Sequence, residues 1–118
     1  MTTSLKRRRA SAAKLEDIAA RLEALGNSTR LGVYHLLVRA GDDGLAVGEL
    51  QRRLGLAAST LSHHLRALLT AELVVQERRK TTLICRANYA VMEEIVTFLA
   101  DECCADAGKS DCEKGCAA

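Results

Sequence analysis

The sequence predicts a mainly α fold with one small β-hairpin, and three observations predict it. Apolar residues recur at helical spacing through most of the first seventy positions. Two β-branched runs, 73–78 and 81–86, bracket Arg79-Lys80, and a last helical pattern follows Asn88. The chain has 118 residues, 48% of them hydrophobic, which suits one compact core and not two domains.

Residues 1–10 lack periodic hydrophobicity and are expected to form a flexible basic arm. Ser11 is placed to cap a first helix whose stripe is Leu15, Ile18, Ala19, Leu22 and Leu25, with Gly26 ending it. Asn27 is a favourable N-cap for a second helix bearing Leu31, Tyr34, Leu37 and Val38, and Gly41-Asp42-Asp43-Gly44 then reads as a loop. A short third helix is expected over 47–54. After the break at Gly55, a fourth runs to about Leu69 with Leu61, Leu65, Leu68 and Leu69 facing inward.

Two helices joined by a tight, Gly-containing turn form a helix-turn-helix, and a hairpin after them makes it winged. The hairpin tip has unfavourable turn chemistry, with no Gly, Asn or Asp. Asn88 is expected to cap a last helix from Tyr89 to about Cys104, whose apolar positions are Met92, Ile95, Val96, Leu99 and Cys103. The expected organisation is therefore a flexible arm at 1–10, a winged helix-turn-helix DNA-binding domain at 11–104, to which the resemblance given below adds dimerisation, and a mobile cysteine-containing tail at 105–118.

No run of eighteen apolar residues is present, and Lys6-Arg7-Arg8-Arg9 is not followed by an apolar segment, so neither a membrane span nor a signal peptide is expected. A cytoplasmic protein follows. Its five cysteines, an odd number in a reducing compartment, point to thiol chemistry or metal ligation more than to structural disulfides. The net charge of +2 is unevenly spread: positions 1–40 hold eight Lys/Arg against three Asp/Glu, and 93–118 hold two against seven. A basic front suits phosphate, and an acidic end stays away from it.

Ser59, Thr60, Ser62 and His63 make the first half of the fourth helix short, polar and unobstructed, as approach to base edges in the major groove requires. Arg66 lies farther along it. Arg78, Arg79 and Lys80 at the hairpin tip are candidates for phosphate contacts, and Arg52 and Arg53 are weaker ones. Taken singly, each of these residues is more often a helix cap or a solvated surface group.

At Ala24-Leu25-Gly26-Asn27-Ser28-Thr29-Arg30-Leu31 and Ser59-Thr60-Leu61-Ser62-His63-His64-Leu65 the sequence resembles the ArsR/SmtB repressors, over roughly residues 15–104. The resemblance implies a homodimer through the first and last helices. It also implies double-stranded operator DNA as partner, no enzymatic activity, no constitutive cofactor, and release of DNA when a metal, metalloid or thiol-reactive inducer binds. Two departures stand out. Ala57 occupies a position where many relatives have a polar cap, leaving Ser59 as the candidate for part of that role, and Lys80-Thr81 replaces the usual wing glycine.

The family's Cys-Val-Cys arsenite motif is replaced here by Ala46-Val47-Gly48-Glu49-Leu50, and its zinc site is missing because residues 89–104 contain no His. A C-terminal Cys-Cys pair with a further Cys instead resembles a variant class of arsenic-responsive repressors. The candidate ligands are Cys103, Cys104 and Cys112, with Cys85 and Cys116 behind them. Soft thiolates match trivalent arsenic or antimony, so the expected inducer is arsenite, methylarsenite or Sb(III). Neighbours on an ideal helix project about 100° apart, so the pair converges only if the helix ends or bends there. In another variant a strand cysteine joins the pair, here Cys85, although such a residue is more often packed in the core. The alternatives are a thiol redox or persulfide switch and a Cd- or Zn-responsive repressor; Cys112 and Cys116 have permissible zinc spacing.

Overall fold

The computed structural model describes residues 2–107. Helix α1 spans Thr2–Leu25 and α2 spans Ser28–Ala40; a 3-10 turn at Gly41–Asp43 leads to strand β1, Leu45–Ala46. Helices α3 (Val47–Leu54) and α4 (Ala58–Thr70) precede strands β2 (Val74–Arg79) and β3 (Thr82–Ala87), and α5 (Tyr89–Ala100) follows. This is a mainly helical winged helix-turn-helix whose strands form one antiparallel sheet in the order β1-β3-β2.

Local chemistry sets most boundaries. Asn27 Oδ1 accepts from the amides of Thr29 (2.9 Å) and Arg30 (3.1 Å), satisfying two of the donors that open α2. Gly55 closes α3 in the left-handed conformation at φ 64°, and its amide donates to the Gln51 carbonyl at 2.9 Å. That single residue turns the chain into α4. At the start of α4, Ala57 has extended backbone and no side-chain cap bond forms, so Ser59 does not take that role.

Four expectations are corrected. Helix α1 begins at Thr2 instead of Ser11, so no arm-to-helix boundary falls at residue 10; the Lys, Arg and Ala of that stretch are all strong helix formers. The strands lie one residue later than expected, with Arg79 opposite Thr82 and a two-residue turn at Lys80-Thr81. Lys80 takes the positive φ of 58° that such a turn needs, in place of a glycine. Helix α5 ends at Ala100, short of Cys103.

The fourth correction is strand β1, which pairs Leu45 with Cys85 and Ala46 with Ile84. Two residues carry no periodic signal, but Gly44 permits the pairing. It has φ 67°, and a Cβ there would lie 2.3 Å from the Cys85 carbonyl oxygen.

The core joins Val33 and Leu37 of α2, Leu50 of α3, Leu61, Leu65 and Leu68 of α4, and Val74 and Cys85 of the sheet. Each fully buried leucine stabilises the fold by roughly 1.5–3 kcal/mol relative to exposure. The outer helices are different. On α1 only Ile18 of the expected stripe is fully buried, whereas Leu15 is 55% and Leu22 40% exposed. On α5 Val91 and Ile95 are buried, but Val96 and Leu99 are 58% and 63% exposed. No helix among the described residues is long and apolar enough to cross a membrane.

Candidate nucleic-acid interface and cysteine turn

Helix α4 divides into two faces. Leu61, Leu65 and Leu68 fix it in the core, which leaves Ser59, Thr60, Ser62, His63 and Arg66 exposed. Ser59, Ser62, His63 and Arg66, at offsets of three, four and seven, line one shallow cleft along the helix. Their spacing puts them on one side of two turns, so all four meet the same surface. A helix anchored on leucines and polar on its outer side has the form needed to enter a major groove.

The two adjacent histidines are unlike. His63 is exposed, while His64 is half-buried with its ring edge-on to His63 at 5.5 Å between centroids. Burial, then Arg30 and His63, hold the His64 imidazole below its ordinary pKa. These surroundings favour the neutral ring. The sequence treats the two alike, and only the inward turn of α4 separates them.

At the wing tip Arg78, Arg79 and Lys80 are exposed. Glu77 pairs with Arg79 at 3.6 Å and with Arg86 at 3.4 Å, which draws Arg79 back along the strands. Arg66, Arg78 and Lys80 make no ion pair among the described residues. Arg52 and Arg53, by contrast, both donate through Nε to Glu49, at 3.0 and 2.8 Å. These bonds hold the Glu49 carboxyl at about 2, well below the usual carboxylate range. The pairing accounts for their weaker candidacy: their charge is already matched within α3.

Residues 101–107 leave the helix in successive turns, with Cys103 N donating to Ala100 O and Ala107 N to Cys104 O, both at 3.0 Å. Cys104 is left-handed at φ 61°. This departure from helical geometry brings the two sulfurs to 3.7 Å, a convergence that an unbroken helix would forbid. The pair offers two thiolates to one ligand only once the disulfide at Cys103 is reduced. Cys103 is exposed and disulfide-bonded, and Cys104 is half-buried.

Cys85 is fully buried on β3, where Gln76 Nε2 donates to its sulfur at 3.3 Å. Burial pushes its thiol pKa up, which suppresses the thiolate. It is a core side chain, and the structure does not gather it with Cys103 and Cys104: no group of three or more His, Cys, Asp or Glu placed to hold a metal occurs among the described residues. Cys112 and Cys116 lie outside the described residues.

Comparison with known proteins agrees with this geometry. A family of helix-turn-helix domains matches residues 25–77, which contain α2 to α4 and the start of the first wing strand. A homodimeric winged helix-turn-helix DNA-binding domain from Mycobacterium bovis, described as a possible ArsR-family transcriptional regulator, is 30% identical. It covers 78% of this chain and 85% of its own, with a TM-score of 0.62. Reduced HlyU from Vibrio cholerae is also 30% identical, covering 80% of this chain and 96% of its own, with a TM-score of 0.58. The transcriptional repressor BigR from Xylella fastidiosa is 26% identical, with 80% and 93% covered and a TM-score of 0.61. No protein of curated function matches in sequence.

Proposed function

Because the chain belongs to the ArsR family of winged helix-turn-helix transcriptional regulators, which bind DNA and are not enzymes, we propose that it is a repressor whose operator is released when trivalent arsenic or antimony binds its C-terminal cysteines. The observation that carries this reading is the 3.7 Å approach of the Cys103 and Cys104 sulfurs at the end of α5. In their reduced form they are two soft donors on one turn, matched to arsenite, methylarsenite or Sb(III). Cys112 is the third ligand in this reading; Cys85, buried in the core, takes no part.

The repressor acts as a homodimer. Leu15 and Leu22 on α1 and Val96 and Leu99 on α5 are apolar residues left uncovered by one copy of the chain. The similar domain from M. bovis is described as homodimeric. Pairing through these helices sets two copies of α4 about 34 Å apart, one turn of DNA. A ligand at the end of α5 then acts where the spacing of the two readers is set. A coupling of about 1–3 kcal/mol, or roughly 5- to 150-fold in DNA affinity, is typical for such linkage.

A second reading keeps the DNA reader and makes the thiols a redox or persulfide switch. It is favoured by the disulfide at Cys103 and by the likeness to a protein described in its reduced state. One titration separates the two. A duplex from the chain's own upstream region, bound to wild type or to Cys104→Ser, is titrated with arsenite, methylarsenite, antimonite, Zn(II), Cd(II) and persulfide, and its release is measured. The arsenic reading expects the trivalent metalloids to lead and Cys104→Ser to stay bound. Normal release of the serine variant by arsenite overturns it, and release by persulfide or oxidant alone, with a new disulfide in the mass spectrum, selects the second reading.

A further inference from the structure

Arg21 stands where three elements meet. Its side chain is only 14% exposed; Nη1 donates to Glu94 Oε2 on α5 at 3.0 Å and Nη2 reaches Glu72 Oε2 at 3.4 Å. Glu72 lies in the turn directly after α4, with a left-handed φ of 63°. Its carbonyl accepts from Asn88 Nδ2 at 3.0 Å, and the next carbonyl, of Leu73, accepts from Asn88 N at 2.8 Å. Asn88 is also the N-cap of α5. The C-terminal end of the recognition helix is thus tied to α5 twice, once through backbone at Asn88 and once through the Arg21 guanidinium.

One cation serves two carboxylates here. Without it, Glu72 and Glu94, both largely exposed, would lose the cation that joins them, beside a turn in a conformation that side chains rarely adopt. The position of that turn decides how the last residues of α4 meet the sheet, and so the angle at which the helix leaves the core.

We propose that Arg21 is a positioning residue for DNA reading: by holding Glu72 against Glu94 it locks the end of α4 to α5, and it passes a displacement of α5 to the recognition helix. The first part stands on the contacts alone. The second rests on the reading of Cys103 and Cys104 as inducer ligands, because they follow α5 directly.

The test uses the full chain and a duplex carrying its own upstream region, read by fluorescence anisotropy over a range of salt. Arg21→Gln and Glu94→Gln should each weaken binding about fivefold, the upper end for an ion pair that is not fully buried. The double variant should be no weaker than the worse single one, and Arg21→Lys should lie between wild type and Arg21→Gln. The slope of log affinity against log salt should not change, since none of these residues is asked to touch phosphate. Wild-type affinity in Glu94→Gln, additive losses in the double variant, or a slope reduced by about one would overturn the positioning role. In a second arm, arsenite should change the affinity of Arg21→Gln less than that of wild type; an equal change overturns the transmission role. If arsenite leaves wild type bound, the cysteine reading and with it the transmission role fail, while the first arm still decides whether Arg21 positions α4.

Discussion

The recognition helix and the cysteine turn are held in place by opposite means. Helix α4 is fixed by long-range packing: Leu61, Leu65 and Leu68 reach into a core shared with α2, α3 and the sheet, and the polar face follows from that anchorage. The turn at 101–107 lies beyond the last buried residue of α5, Ile95; it carries short-range backbone bonds, the left-handed Cys104 and a disulfide at Cys103. A reader must present a constant surface to DNA. In the proposed function the cysteine turn is the sensor, which must be able to change, and a helix end outside the core opens at lower cost than the core itself.

The largest expected effect tests the anchorage. Leu65→Ala should cost about 2–5 kcal/mol of stability, measured by urea unfolding, because it removes the middle rung of the α4 ladder. An undiminished midpoint would mean that the face is held by something other than this packing.

A smaller effect sharpens the map of the DNA surface. Arg78→Ala should weaken binding to every duplex alike and lower the salt slope by about one. Arg52→Ala should change the slope less, because Glu49 already holds that guanidinium. Equal slopes for the two variants would erase the distinction between the open and the matched arginines.

The smallest effect concerns the matched cluster itself. The Glu49 carboxyl lies at about 2 in the fold against an ordinary 4.5, so its depressed pKa contributes stability that is present above the ordinary value and lost as pH falls toward 2. Urea midpoints of wild type and Glu49→Gln should therefore differ by a constant amount above pH 5 and converge in acid. A gap that persists unchanged toward pH 2 would show that the carboxylate charge is not what stabilises α3.

Much of the reader was legible in the sequence because its signals are repeated or local. The leucines of α4 recur at helical spacing, and Asn27 and Gly55 carry their capping chemistry in their own residue type. The rest depends on backbone states that residue identity does not announce. Lys80 and Cys104 both adopt positive φ without being glycine, which moved the wing by one register step and brought two sulfurs together. Strand β1 needs Cys85 as its neighbour and therefore exists only once the fold is assembled. On α5, periodicity marked Val96 and Leu99 as apolar, but it does not say whether the surface that covers them belongs to the same chain.

The wing tip carries one more consequence. At φ 58° Lys80 occupies a place where glycine would be more comfortable, and side chains other than glycine bear a cost of roughly 1 kcal/mol there. The same residue adds an exposed positive charge at the end of the hairpin. Hairpin strength and attraction to DNA thus pull this position in opposite directions, and a chain selected only for durability would be expected to give up the lysine.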